Sequence, residues 1–342
     1  MALDPITAQS NGIPELQCIN VACSYAADKK CVENHPIPGC PYLQTPKSVK
    51  QEEKEELVLL SSGECLNTDQ CLSVQRSGKS RVLAIIGPSD SGKTSLIASF
   101  YDLFQFSLVQ DFGFSGSRTL FDFERACHTS RSASAHSQPA MGHTPFSPSG
   151  VKYYQLGVFE RDSRQCIDFL IADRNGEDYS GLVDDAGSIS EFAELQRADS
   201  ITVLVNGEKL LNNVERHNVV QEIKLILQRL QESEVISRRQ RLVVVLTKLD
   251  ALSAADDLVS ARARSDFQGL VTYIRSRFDN LFCEIHDFEV AASPKTDILP
   301  YCYGIASLIP IWSKVPGFFD STEDNSQSTT RSFDKFGRTG EA

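Results

Sequence analysis

What the sequence lacks narrows its role first. It lacks an excess of positive charge: 34 Lys and Arg stand against 45 Asp and Glu, a formal net charge of −11. A protein that coats nucleic acid needs a basic face against the phosphates. Binding to an anionic membrane surface makes the same demand. Neither class of partner is expected. No apolar run approaches spanning length; the nearest, Tyr303 to Trp312, is about half the roughly 20 residues a membrane helix needs. The start Met1-Ala2-Leu3-Asp4-Pro5 has no basic segment followed by an apolar run, so no secretory signal is expected. The expectation is a cytoplasmic protein. There is also no internal repeat.

What is present fits a globular chain. Its 342 residues, 41% of them hydrophobic, suit one large or two modest domains with a sizeable core. Six of the ten cysteines fall before residue 72. In a cytosolic protein such crowding favours metal ligation over disulfides. Cys18, Cys23, Cys31 and Cys40 are separated by four, seven and eight residues. Four thiolates suit a structural Zn²⁺, which would fold a segment with little core of its own. His35, Cys65 and Cys71 are alternative ligands. Around them, His35-Pro36-Ile37-Pro38-Gly39-Cys40-Pro41 excludes a regular helix or central strand.

The expected organisation has four parts. Residues 1–45 form the Cys-rich segment expected to bind zinc, and residues 46–80 a charged linker and lead-in. Residues 81–318 form the main domain, and residues 319–342 a polar tail expected to be disordered. In the main domain, apolar strands alternate with helical stretches. Strands are expected at 82–86, 153–159, 167–172, 201–205, 242–246 and 288–291. Helices are expected at 94–104, 214–231 and 256–278. Residues 128–150, rich in Ser, Pro, Gly and His, read as a mobile loop. Strands that are apolar throughout, separated by amphipathic helices, predict an α/β fold with a mainly parallel sheet flanked by helices.

Between the first strand and the first of these helices lies Gly87-Pro88-Ser89-Asp90-Ser91-Gly92-Lys93-Thr94. It matches the phosphate-binding P-loop G-x-x-x-x-G-K-[ST], in the strand–loop–helix setting the mechanism requires. Backbone N–H groups of the loop and the helix N-terminus face the phosphates. Gly87, Asp90, Ser91, Gly92, Lys93, Thr94 and Ser95 are the expected phosphate-side residues. Lys93 reaches the β- and γ-phosphates, and the Thr94 hydroxyl ligates Mg²⁺. The chain is therefore expected to be a P-loop NTPase.

Two later motifs select the base and sense the γ-phosphate. Thr247-Lys248-Leu249-Asp250 follows an apolar strand and fits [N/T]-K-x-D. Its aspartate accepts two hydrogen bonds from guanine, and adenine leaves that buried carboxylate unpaired. Ala292, at the end of the last strand, is the expected backbone contact to the guanine oxygen. Asp173-Arg174-Asn175-Gly176 fits D-x-x-G, with Asp173 on Mg²⁺ through water and Gly176 N–H at the γ-phosphate. The order of the three motifs is that of GTPases. Glu177 stands where many GTPases carry a water-orienting glutamine. A carboxylate there can orient water or repel the γ-phosphate, so slow hydrolysis is expected. Arg118 and Thr119 lie where a switch segment is expected, as a transition-state cation and a Mg²⁺ ligand. Thr129 competes for the metal role.

The segments Gly116-Ser117-Arg118-Thr119-Leu120, Phe123 to His128, Asn175 to Tyr179 and Thr247 to Asp250 together resemble bacterial double-GTPase domains of the translation-factor-related class. Ser62-Gly63-Glu64 and Leu96 to Tyr101 are similar too. The resemblance covers roughly residues 60–315. It implies GTP binding and a protein partner, such as a second GTPase, in a multi-gene conflict or defence system. It supplies no substrate. The departures are Leu249, where an aromatic is common, and Arg174-Asn175 within D-x-x-G. Two other readings stand beside the switch: a GTP-binding interaction module that barely hydrolyses, and a P-loop ATPase. The ATPase reading lacks a second signature such as L-S-G-G-Q.

Overall fold

The computed structural model describes residues 17–18, 23, 30–31, 33–36, 40 and 42–44 of an N-terminal unit. In the main unit it describes residues 61–135, 151–176, 178–179, 192–233 and 235–317. In the N-terminal unit, Gln17–Cys18 and Leu43–Gln44 pair antiparallel. Cys23, Cys31 and Cys40 are half-buried, and the Cys18 side chain lies outside the described residues. Among the described residues, no group of three or more His, Cys, Asp or Glu is placed to hold a metal ion. The zinc expectation therefore rests on the cysteine spacing alone.

The main unit starts at Ser61, so the lead-in belongs to it. Helix α1 (Thr68–Ser77) is closed by a capping box between Asn67 and Gln70. It buries Cys71 and Val74 in a small cluster with Leu66, Val82, Tyr153 and Leu170. The strands are β1 (Ser80–Ile86), β2 (Phe112–Gly116), β3 (Lys152–Glu160), β4 (Cys166–Asp173), β5 (Ser200–Asn206), β6 (Arg241–Thr247) and β7 (Glu284–Glu289). They form one sheet in the order β2-β3-β4-β1-β5-β6-β7. Pairing is parallel from β4 to β7 and antiparallel in β2–β3 and β3–β4.

The sequence pattern explains the layering. Side chains alternate across a strand. Ala84, Ile86, Leu242, Val244 and Leu246 therefore face one core, while Leu83, Ile85, Val243 and Val245 face the other. The first core is closed by α6 (Glu215–Glu232) and α8 (Asp257–Phe278). The second is closed by α2 (Lys93–Gln105) and the C-terminal α9 (Leu308–Ser313). Short helices α4 (Ala193–Arg197), α5 (Gly207–Leu211) and α7 (Leu249–Ala254) complete the frame.

Four features differ from the sequence expectation. Strand β2, Phe-Gly-Phe-Ser-Gly, carries two glycines and no strand-like run. The last strand ends at Glu289, not Ala291, because its charged residues are those of a sheet edge, with Arg264 on Glu289 and Arg275 on Asp287. The apolar segment ending at Trp312 folds as α9, with Trp312 Nε1 donating to Thr202 Oγ1 at 3.2 Å. Helix α3 (Leu120–Ala135) occupies the first part of the expected 128–150 loop; residues 136–150 lie outside the described set. No helix among the described residues is long and apolar enough to cross a membrane.

Candidate functional site

Strands β4, β1, β5 and β6 all end on one side of the sheet, where ligands of open α/β folds bind. The loop from Gly87 to Gly92 joins β1 to α2 there. Lys93 is the first residue of α2 and only 7% exposed. Its Nζ donates to the carbonyls of Gly87 at 2.8 Å and Pro88 at 3.2 Å. Burial lowers its pKa, against the pull of Asp173. Lys93 thus braces the loop from within, and Thr94 and Ser95 follow on the first turn.

The D-x-x-G motif lies directly beside this loop. Gly176 packs so closely that a Cβ there would come 2.6 Å from Lys93 Nζ, 2.7 Å from Ser89 N and 2.9 Å from Pro88 C. Only glycine allows that approach. Asp173, at the end of β4, is buried, and its Oδ1 has no hydrogen-bond partner among the described residues. Burial pushes its carboxyl pKa up to about 6, while Lys93 and Lys152 pull it down. Ser91 Oγ is also buried without a partner among the described residues. An orphaned buried carboxylate oxygen is costly, and a hard divalent cation is the group that satisfies it. The donor set therefore fits Mg²⁺, which Thr94 and Asp173 would hold. Inside the motif, Arg174 is held by Glu194 at 2.7 and 3.2 Å and lies over the Phe192 ring at 4.1 Å. The unusual arginine is accommodated by that buried carboxylate. Glu177 lies outside the described residues.

The raised Asp173 pKa gives a stability prediction. The folded state holds this proton more tightly than the unfolded chain, so ionisation opposes folding. The penalty is absent below about pH 4, grows as pH rises through about 6 and is constant above. A shift of this size is worth on the order of 2–3 kcal/mol. Asp173→Asn should therefore stabilise the nucleotide-free protein at pH 7.5 in urea titrations, with the gain vanishing near pH 4. An equal or lower stability at pH 7.5 would contradict the assignment.

The base-selecting motif shares the cleft. Thr247 Oγ1 donates to the Ser91 carbonyl at 2.8 Å and the Val205 carbonyl at 3.2 Å, tying β6 to the P-loop. Lys248 adopts φ +55°, and its Nζ donates to Asp90 Oδ2 and Glu208 Oε2, both at 2.9 Å. Asp250 is 5% exposed, and its Oδ2 accepts from the Lys295 backbone N–H at 2.9 Å. A cleft of about 260 Å³ runs from Asp90, Gly92 and Ser95 to Lys248, Asp250 and Ala292. The Ala292 carbonyl accepts from Ser99 Oγ and Cys302 N–H, which fixes the far wall.

Arg118 and Thr119 are not brought to this cleft. Thr119 is fully buried, and its hydroxyl exchanges hydrogen bonds with the Gln155 backbone. Gln155 is level with Leu170 and Val82 in the sheet, four residues short of Ile86. That is about 13 Å along the strand direction from the end of β1, where the P-loop begins. Arg118 Nη1 donates to Ser73 Oγ on α1 at 3.1 Å. In this structure both residues therefore anchor the β3 edge, away from the cleft. The side chain of Thr129 lies outside the described residues. Conversely, Glu208 and Lys295 line the cleft, Asn206 braces it through the Asp90 carbonyl, and all three escape motif reading. Asn206 ends β5 and Glu208 lies just past it, and the strand-end rule for open sheets is the signal that finds them.

A family profile described as Double-GTPase 2 matches residues 81–313, more than half the chain. The chain belongs to the Double-GTPase 2 family. Membership supports GTP as the ligand and Mg²⁺ as its usual companion. The Double-GTPase 2 match begins one residue into β1 and ends with α9. Comparison with curated proteins finds no match. Among solved structures, the signal recognition particle receptor SRb-GTP/SRX complex from Chaetomium thermophilum is similar at 14% identity and TM-score 0.36, over 69% of this chain and 96% of that one. A GTP-binding protein from the archaeon Sulfolobus solfataricus in complex with GDP is similar at 13% identity and TM-score 0.31, over 66% of this chain and 50% of that one. The S. cerevisiae Ski7 GTPase-like domain bound to GTP is similar at 12% identity and TM-score 0.36, over 72% and 51%. All three likenesses are distant.

Proposed function

We propose that this chain is a slow guanine-nucleotide switch that acts with a protein partner. The observation that carries the guanine reading is the single cleft joining the P-loop to Asp250. The buried Asp250 carboxylate rewards a base with two donors and penalises one without them. Magnesium, when bound, neutralises phosphate charge. On the protein side, Lys93 binds the phosphates, and Gly176 lies where loop position can follow the state of the nucleotide.

Two features support slow turnover. Glu177 replaces the usual glutamine, and Arg118 is engaged by α1, so neither a water-orienting amide nor that arginine serves the phosphates. A partner would supply what is missing. The exposed Phe106, Leu108 and Phe114, around the outer strand β2, support a protein-binding role. A second GTPase in a bacterial multi-gene system is the partner class that the family resemblance suggests.

Single-turnover phosphate release tests the rate. The chain alone should release phosphate at on the order of 10⁻³ s⁻¹ or slower. A rate near 1 s⁻¹ would contradict the slow-switch reading, and no release over hours would favour the non-hydrolysing module that Glu177 also suggests.

A further inference from the structure

The cleft contains a carboxylate that neither phosphate binding nor base selection requires. Glu208 lies in the first turn of α5. Its Oε2 accepts from Lys248 Nζ at 2.9 Å, and its Oε1 from Lys295 Nζ at 3.5 Å. The same Lys295 donates its backbone N–H to Asp250, and the same Lys248 reaches Asp90 in the P-loop. One carboxylate thus links the two cations flanking the base-selecting aspartate, and through Lys248 the P-loop.

The backbone around Glu208 is fixed. Asn206 accepts from the Lys209 N–H at 3.2 Å and donates to the Asp90 carbonyl at 2.8 Å. Gly207 approaches β6 so closely that a Cβ would lie 2.5 Å from both the Thr247 carbonyl oxygen and Leu252 Cδ1. The start of helix α5 is therefore packed directly against the β6 end that carries Thr247 and leads into Lys248. The hydrogen bond from Lys248 lowers the Glu208 carboxyl pKa. Burial alone would lower the Lys248 pKa, but Asp90 and Glu208 outweigh it and raise it. An isolated exposed ion pair contributes little. Here several charges share one carboxylate on a rigid support, the arrangement in which such pairs matter.

We propose that Glu208 is a positioning residue for nucleotide retention: it holds Lys248 and Lys295 across the mouth of the base cleft and so sets the rate at which guanine nucleotides leave. The inference rests on the guanine reading above. Glu208 stands across β1 from Asp173 and Gly176, so its effect is independent of the γ-phosphate. GDP and GTP are retained equally by this device.

The test is stopped-flow release of fluorescent GDP and of a fluorescent non-hydrolysable GTP analogue from the full chain. Glu208→Gln should release both about 5–10-fold faster. Lys295→Gln should accelerate release, and the double variant should be no faster than Glu208→Gln. Glu208→Asp should recover part of the retention, which separates positioning from misfolding. If wild type binds guanine nucleotide but Glu208→Gln releases it at the wild-type rate, or faster only for the GTP analogue, the proposal for Glu208 is wrong and the guanine reading stands. If wild type binds no guanine nucleotide, both fall.

Discussion

Replacing Lys93 with alanine is expected to weaken GTP binding by about a thousandfold while leaving the protein folded. The ammonium is nearly buried, and its present partners are loop carbonyls. It is the cation placed inside the phosphate loop. Losing one partner of a desolvated charge pair costs about 3–5 kcal/mol, and about 4 kcal/mol is a factor of a thousand. Folding should suffer far less. Burial already opposes the charge on Lys93, so its removal also removes a desolvation cost. The accompanying loss is two hydrogen bonds to carbonyls, about 1 kcal/mol each. Isothermal titration with GTP and a thermal melt of the nucleotide-free protein separate the two effects. GTP affinity within tenfold of wild type would mean that the phosphates bind elsewhere.

Asp250→Asn should exchange one purine for another. Asp250 Oδ2 is held by the Lys295 N–H, a contact the amide oxygen of asparagine can keep. The amide NH₂ then replaces the carboxylate oxygen that faces the base. It presents donors to guanine's donors and suits xanthine, which carries a carbonyl in place of the amino group. GTP binding should weaken about a hundredfold, and xanthosine triphosphate should improve by a similar factor. Competition titrations against a fluorescent guanine nucleotide measure both. Equal weakening of both triphosphates would point to general damage, not base reading.

The three phosphate and base motifs were legible in the sequence because each imposes residue types on consecutive positions beside an apolar strand. Gly176 illustrates the physics, since the close approach to Ser89 and Pro88 tolerates no side chain. Strands β1, β5 and β6 were legible for a similar reason: burial on both faces demands continuous apolar runs. Strand β2 was not, because an edge strand buries little and its register against β3 is irregular between Phe114 and Gly116. Arg118 and Thr119 show the opposite failure. Their position between motifs suggested a switch, but the interposed β2 and α3 place them on the β3 edge, tied to Gln155. Lys295 was invisible because a lone charged residue in a loop has no pattern, and Glu208 was marked only by its place after a strand end; the folded cleft gives both their neighbours.

The most direct test of the account is a titration of the wild-type chain with fluorescent GTP and ATP analogues in the presence of Mg²⁺. The buried Asp250 carboxylate and its cleft predict a preference for GTP of about a hundredfold or more. Equal affinity for the two nucleotides would contradict it.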